Sequence, residues 1–205
     1  MESQVEKGHY DFKKYVTMNR WVSYYTQISE TLAFKPLSVL EVGVGDGVFG
    51  AYVKSQTNVE YKSLDIAADL KPDILGTIDA IPLPDNAVDC AVAFEVLEHI
   101  PFEKVPKALS ELMRVSRKNV IVSMPHFGPP IKFVLKLPFF KEIRLSFKIP
   151  YHPMHVWNGE HYWEIGKKDT PPALVKQVIS QHGKLVKDFV LFDNQYHHFY
   201  VLEKK

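Results

Sequence analysis

Residues 38–125 set the strongest constraint on this chain, because short apolar runs alternate there with amphipathic stretches. SVLEV at 38–42, EYKSLDI at 60–66, the run opening with VDCAVAF and NVIVSMP at 119–125 have strand character. VDCAVAF is apolar on both faces, as suits a parallel sheet covered on both sides. Between these runs, Val48, Phe49, Tyr52 and Val53 share one helical face, and Val105, Ala108, Leu109, Leu112 and Met113 fall at i, i+3, i+4, i+7 and i+8. A weaker strand, ILGTI, ends at Asp79. Such an alternation is what right-handed crossovers on a parallel sheet require. A helix capped by Asp169 or Thr170 follows near 169–183, and KLVKDFVLF and QYHHFYVLE, with Asp193 and Asn194 between them, predict a closing hairpin. The expected fold is α/β, a doubly wound and mostly parallel seven-stranded sheet with an antiparallel C-terminal hairpin.

Trp21, Tyr24, Tyr25, Ile28 and Leu32 recur in threes and fours, which predicts a helical cover over 10–35 ended near Pro36. The 205 residues, 46% of them hydrophobic, fit one domain spanning 1–205, in which 126–168 interrupt the alternation as an insertion. A net charge of +1 gives no global grip on nucleic acid, and no nucleic-acid partner is expected. The opening MESQVEKGHYDF lacks a leader's apolar core, and no run reaches the roughly 18 apolar residues of a membrane span, so a cytoplasmic location is expected. Cys90, the single cysteine, excludes an internal disulfide and reads as a buried thiol.

In VLEVGVGDGVFG, residues 39–50, a strand runs into glycines at alternate positions and then a helix, which makes a ligand site at the sheet edge. The dinucleotide fingerprint needs a third glycine where Val48 stands, and the Gly-Lys-Ser/Thr of a phosphate loop is absent. Glu41, two residues before Gly43, would repel a pyrophosphate and attract a cation or an amine. Acids also end the next two strands, at Asp65 and Asp79, and FEVLEHI follows the fourth.

This order of features resembles the class I S-adenosylmethionine-dependent methyltransferases, closely over 38–125 and by pattern in the terminal hairpin. The resemblance implies the Rossmann-like methyltransferase fold, S-adenosylmethionine as cofactor and methyl transfer as the activity. It places Glu41 by the methionine end of the cofactor, with Gly43, Gly45 and Gly47 giving room. Asp65, followed by Ile66, takes the ribose hydroxyls; Asp79 meets the adenine amino group beside the backbone amides of Ala80 and Ile81; Phe94, Glu95 and His99 lie toward the methionyl moiety. Tyr15 and Arg20 either close over the cofactor carboxylate or sit on a solvated surface helix. Glu98 and His99 either face the pocket or anchor the following segment, and Asp89 reads as structural.

The resemblance makes the insertion 126–168 a substrate lid. Its second half, YHPMHVWNGEHYWEI, is dense in histidine and aromatic residues. His152, His155, His161 and Glu164 invite a metal reading, but nothing regular fixes their spacing and no metal is expected. An aromatic wall with one histidine as general base is the favoured alternative, with His155 first and His126 second. In the first half, basic residues edge an apolar run, and helices on either side of Pro138 would suit weak contact of 131–149 with an anionic membrane; a lid with solvated lysines is the other reading. The function expected is methyl transfer to an oxygen or nitrogen of a small-molecule acceptor, with sugar and lipid-linked acceptors included; the alternative is an inactive binding or scaffold module. The acceptor and the oligomeric state are not legible.

Overall fold

The computed structural model describes residues 7–205; residues 1–6, part of the stretch read above for a leader, lie outside the described residues. Its centre is a seven-stranded sheet in the order β3-β2-β1-β4-β5-β9-β8. In chain order the elements are α1 (Phe12–Tyr15), α2 (Met18–Ala33), β1 (Ser38–Val42), α3 (Val48–Gln56), β2 (Glu60–Asp65), β3 (Ile74–Leu75), β4 (Val88–Phe94), α4 (Val105–Val115), β5 (Ser116–Pro125), β6 (Pro130–Leu135), β7 (Ile143–Lys148), α5 (Pro172–Ser180), β8 (Lys184–Val190) and β9 (His197–Glu203). β1 to β5 pair in parallel; β9 runs antiparallel to β5 and to β8.

Alternation along the strands divides the core in two. Leu40, Val42, Ala91, Ala93, Val120 and Val122 face α4 and α5, where Leu109, Leu112, Val175 and Ile179 are buried against them. Val39, Cys90, Val92, Ile121 and Val201 face the other way, onto Phe49 and Val53 of α3 and toward Val22 and Ile28 of α2. Each large aliphatic side chain buried this way contributes about 1.5–3 kcal/mol. Asp89 pins the amino-terminal end of the parallel strands: it accepts from Leu37 N at 2.9 Å, Arg117 Nε at 2.8 Å and Lys118 Nζ at 3.1 Å.

The N-terminal cover is not one helix. A 3-10 turn at Lys7–Tyr10 and α1 precede α2, which starts afresh where the Thr17 hydroxyl accepts from Arg20 N at 3.3 Å. α5 is not capped by Asp169 or Thr170: Pro171 holds the cap position, and the Thr170 hydroxyl donates to Glu164 O at 2.5 Å instead. The closing hairpin turns through residues 191–196 rather than through Asp193 and Asn194 alone, because the buried Asn194 amide donates to Ser23 Oγ at 2.9 Å and ties the loop to α2.

The insertion departs most from expectation. Its first half is no pair of helices but an antiparallel hairpin, β6 on β7. The register pairs Ile131 with Phe147, Phe133 with Leu145 and Leu135 with Ile143 on one exposed apolar face, while Lys132 and Arg144 lie on the other, against Phe192. The second half returns to the main body, where Ile165 N donates to Pro125 O at 3.0 Å and Phe127 N to Ile165 O at 2.8 Å. Among the described residues no helix is long and apolar enough to cross a membrane.

Candidate functional site

At the carboxyl end of β1 the chain turns on Gly43 (φ 85°), Gly45 (φ 55°) and Gly47 (φ 76°). The left-handed region disfavours any side chain, and at Gly43 a Cβ would also overlap Val96. Gly43 N donates to Leu64 O at 2.8 Å, and Gly47 is the N-cap of α3. Asp65, ending β2, holds the turn: Oδ2 accepts from Val44 N at 2.7 Å and Oδ1 from Ala67 N at 2.8 Å. The Tyr24 hydroxyl donates to Asp46, docking α2 on the same turn.

Above this turn lies a cavity of about 550 Å³, of the size that suits a small ligand. Asp65, Ile66, Thr77 and Ile78 line one end; Glu41, Gly43 and Gly45 line the middle; Phe94, Glu95, Glu98, His99, His161 and His197 line the other end. Tyr10, Tyr15 and Arg20 line it from the N-terminal cover. Arg20 Nη1 donates to the Tyr15 hydroxyl at 2.9 Å and its guanidinium lies 3.8 Å from the centre of that ring. Acids outnumber cations: Arg20 is the single guanidinium and no lysine lines the cavity among the described residues. That donor set fits a ligand bearing hydroxyls, an amine and one carboxylate, as S-adenosylmethionine does, and fits a pyrophosphate poorly.

Of the residues singled out from sequence, Glu41, Gly43, Gly45, Asp65, Ile66, Phe94, Glu95 and His99 line this cavity, with Tyr15, Arg20 and Glu98. Gly47 stands beside it as the helix cap. Asp79, Ala80 and Ile81 do not reach it. Their turn closes with Ala80 N on Thr77 O at 3.1 Å, Ile81 N donates to Glu111 Oε2 at 2.9 Å, and Thr77 and Ile78 take the cavity-facing places.

The two histidines proposed as bases are also elsewhere. His126 borders a second, shallower cavity with Lys148 and Tyr151; its Nδ1 lies 2.9 Å from His198 Nδ1, and His198 Nε2 lies 2.6 Å from Asp188 Oδ1. Burial, then the charges of Lys148 and His198, press its imidazole down to about 3, which makes it a weak base. The His155 ring donates through Nε2 to His161 O at 2.8 Å, behind the wall rather than in it. His152 Nδ1 is held on Gly166 O at 2.8 Å, and the four residues of the insertion considered for a metal form no cluster of ligand atoms among the described residues.

The histidine of the insertion that does line the cavity is His161. Its Nδ1 lies 3.1 Å from Glu164 Oε1, which also accepts from the Tyr196 hydroxyl at 2.7 Å. The insertion is clamped there: Tyr162 N donates to Glu98 O at 2.8 Å, and Trp163 Nε1 donates to Leu97 O and Ile100 O, each at 3.1 Å. Glu95 sits in the left-handed region (φ 55°) and accepts at Oε1 from Ser123 Oγ at 2.7 Å; strain of this kind gathers at ligand sites. Burial raises its carboxyl to about 7, and raises Glu41 to about 8 although Tyr61 donates to it. Burial and then the charge of Glu95 lift Glu98 well above the carboxylate range. His197 is pressed down to about 3 by burial and by Arg20.

Residues 40–124 match the family model described as "Methyltransferase domain". No curated protein matches the chain in sequence. Among solved structures it resembles a protein of Pyrococcus horikoshii OT3 (12% identity, TM-score 0.64, covering 98% of this chain and 100% of that one). It also resembles DesVI of Streptomyces venezuelae (12%, TM-score 0.63, 98% and 100%). Magnesium protoporphyrin IX methyltransferase of Synechocystis PCC 6803, solved with bound SAM, is a third (11%, TM-score 0.58, 100% and 87%). At these identities the structures speak for the fold alone. The chain thus carries a match to a methyltransferase domain over residues 40–124, on a fold that it shares with these solved structures.

Proposed function

We propose that the chain binds S-adenosylmethionine across the glycine turn and moves its methyl group to an oxygen or nitrogen of a small-molecule acceptor held under the lid. The observation that carries this reading is the gradient along the cavity, from Asp65 and Thr77 at one end to buried carboxylates and imidazoles at the other. Asp65 keeps lone pairs for ribose hydroxyls beyond those given to Val44 and Ala67. Thr77 and Ile78 take the part in adenine contact that the resemblance assigned to Asp79. Glu41 faces the amine and Arg20 the carboxylate of the methionyl end. The bound cofactor supplies an electrophilic methyl on a positively charged sulfur. The protein's part is then to dehydrate and align the acceptor, which the clamped lid and the buried Glu95 end do. At that end the imidazole in reach from the 126–168 insertion is His161, beside His99 and His197, rather than His155 or His126.

The test is turnover of S-adenosylmethionine with panels of hydroxylated and amine-bearing small molecules, followed as S-adenosylhomocysteine and methylated product by mass spectrometry. Acceptor-dependent formation of both is the expected result. Failure to bind S-adenosylhomocysteine at all would favour the inactive scaffold.

A further inference from the structure

We propose that Glu98, His99 and His161 form a divalent metal site at the acceptor end of the cavity. One ligand atom from each residue lies within 4.8 Å of the others. Bonds of about 2.0–2.2 Å hold ligand atoms roughly 3–4 Å apart, so closure needs only a small inward movement.

Glu98 supplies an independent reason. It is 1% exposed, lines the cavity, and neither carboxylate oxygen has a hydrogen-bond partner. Leaving a buried polar group unpaired is costly, and a cation satisfies both oxygens at once.

The surrounding contacts are those that orient metal-binding imidazoles. His161 Nδ1 lies 3.1 Å from the Glu164 carboxylate, and His99 Nδ1 lies 3.0 Å from the Glu160 carbonyl oxygen. The Glu164 acceptor holds the His161 proton on Nδ1, so His161 would coordinate through Nε2. The lid clamp through Tyr162 and Trp163 is what brings His161 onto the 97–100 turn. Two imidazoles and one carboxylate suit zinc, iron(II) or manganese(II) better than calcium or magnesium, and three protein ligands leave positions open toward the cavity.

The consequence for substrate rests on the methyltransferase reading. A hydroxyl acceptor seated there gives its proton to solvent more readily. Its oxygen then takes the methyl carbon as the carbon–sulfur bond breaks, and the cofactor's positive charge disappears with that bond. The site therefore favours an oxygen acceptor, one with a neighbouring oxygen to chelate.

Chelator-treated protein titrated with Co²⁺, followed by calorimetry and by visible d–d absorption, tests the site. S-adenosylhomocysteine binding is measured on the same sample. The expected result is one Co²⁺ per chain, with affinity lowered at least tenfold by His161→Ala and by Glu98→Gln. Glu164→Gln, a change outside the ligand set, is expected to lower it by about 10–100-fold; it serves if either ligand variant fails to fold by circular dichroism. Wild type that binds S-adenosylhomocysteine but no Co²⁺ overturns the metal site alone. Binding left unchanged in folded His161→Ala overturns it too, while failure to bind S-adenosylhomocysteine overturns the cofactor reading instead.

Discussion

Replacing Glu41 by Gln removes a proton from the binding reaction as well as a charge. In the free protein, burial raises the Glu41 carboxyl to about 8, so at neutral pH it is mostly protonated. An ammonium placed beside it requires the carboxylate, so cofactor binding must release that proton. With a free-state value near 8, roughly 0.9 of a proton is held at pH 7 and leaves on binding. Affinity should then rise on the order of tenfold, about 1.4 kcal/mol, from pH 6 to pH 7, a range in which the ligand's α-amine (about 7.7–8.0) stays charged. Because the folded value is raised, the sign is fixed: binding strengthens as pH rises. Calorimetry of S-adenosylhomocysteine at pH 7 in two buffers of different ionisation enthalpy counts the proton directly. Glu41→Gln should release none, show a flat profile, and bind about 10–100-fold more weakly through loss of a charge-assisted contact of roughly 1.5–3 kcal/mol. No proton release by wild type, with equal affinity at pH 6 and 7, would refute the placing of the amine at Glu41.

Gly43→Ala meets both a left-handed backbone and the Val96 side chain; strain of about 1–2 kcal/mol and overlap of about 1–3 kcal/mol should lower the melting temperature by on the order of 10 °C. A melt within about 1 °C of wild type would contradict the close packing of the turn. Asp89, held down to about 2 by Leu37 N and by Arg117 and Lys118, stabilises the fold above its ordinary range near pH 4 and loses that contribution as pH falls toward 2. With both cations about half-exposed, the screened loss is about 1–2 kcal/mol, visible in wild type and absent from Asp89→Asn in acid denaturation. The apolar face of the β6–β7 hairpin, with Phe139 and Phe140 at its tip and Lys136 and Lys141 beside them, should carry the protein onto anionic vesicles at low salt in a flotation assay. Phe139→Ser with Phe140→Ser should abolish this, whereas a concentration-dependent dimer without flotation would assign the face to a second copy.

How far the sequence could be read follows from where periodicity exists. The apolar runs of β1, β4 and β5 and the stripe of α4 predicted the sheet and its helices, because buried parallel strands and one-sided helices have unambiguous patterns. The glycine turn and Asp65 were legible for the same reason: backbone conformation and strand-end position dictate them. In the hairpin, the alternation of Ile131, Phe133 and Leu135, and of Ile143, Leu145 and Phe147, was a period-two signal that the scattered lysines and Pro138 masked. His161 could not be chosen over His155, since residues 150–168 lack regular structure and the choice is made by Trp163 and Tyr162 bonding to the 97–100 turn. Thr77 and Ile78 displaced Asp79 because a tight turn, not a strand, ends that segment.

A crystal structure with S-adenosylhomocysteine would show whether the glycine-turn cavity holds the cofactor. The ribose hydroxyls are expected within hydrogen-bond distance of Asp65, the amine beside Glu41 and the sulfur facing the Glu95–His161 end. A cavity left empty at saturating ligand, or the nucleoside bound away from Asp65, would contradict this placement.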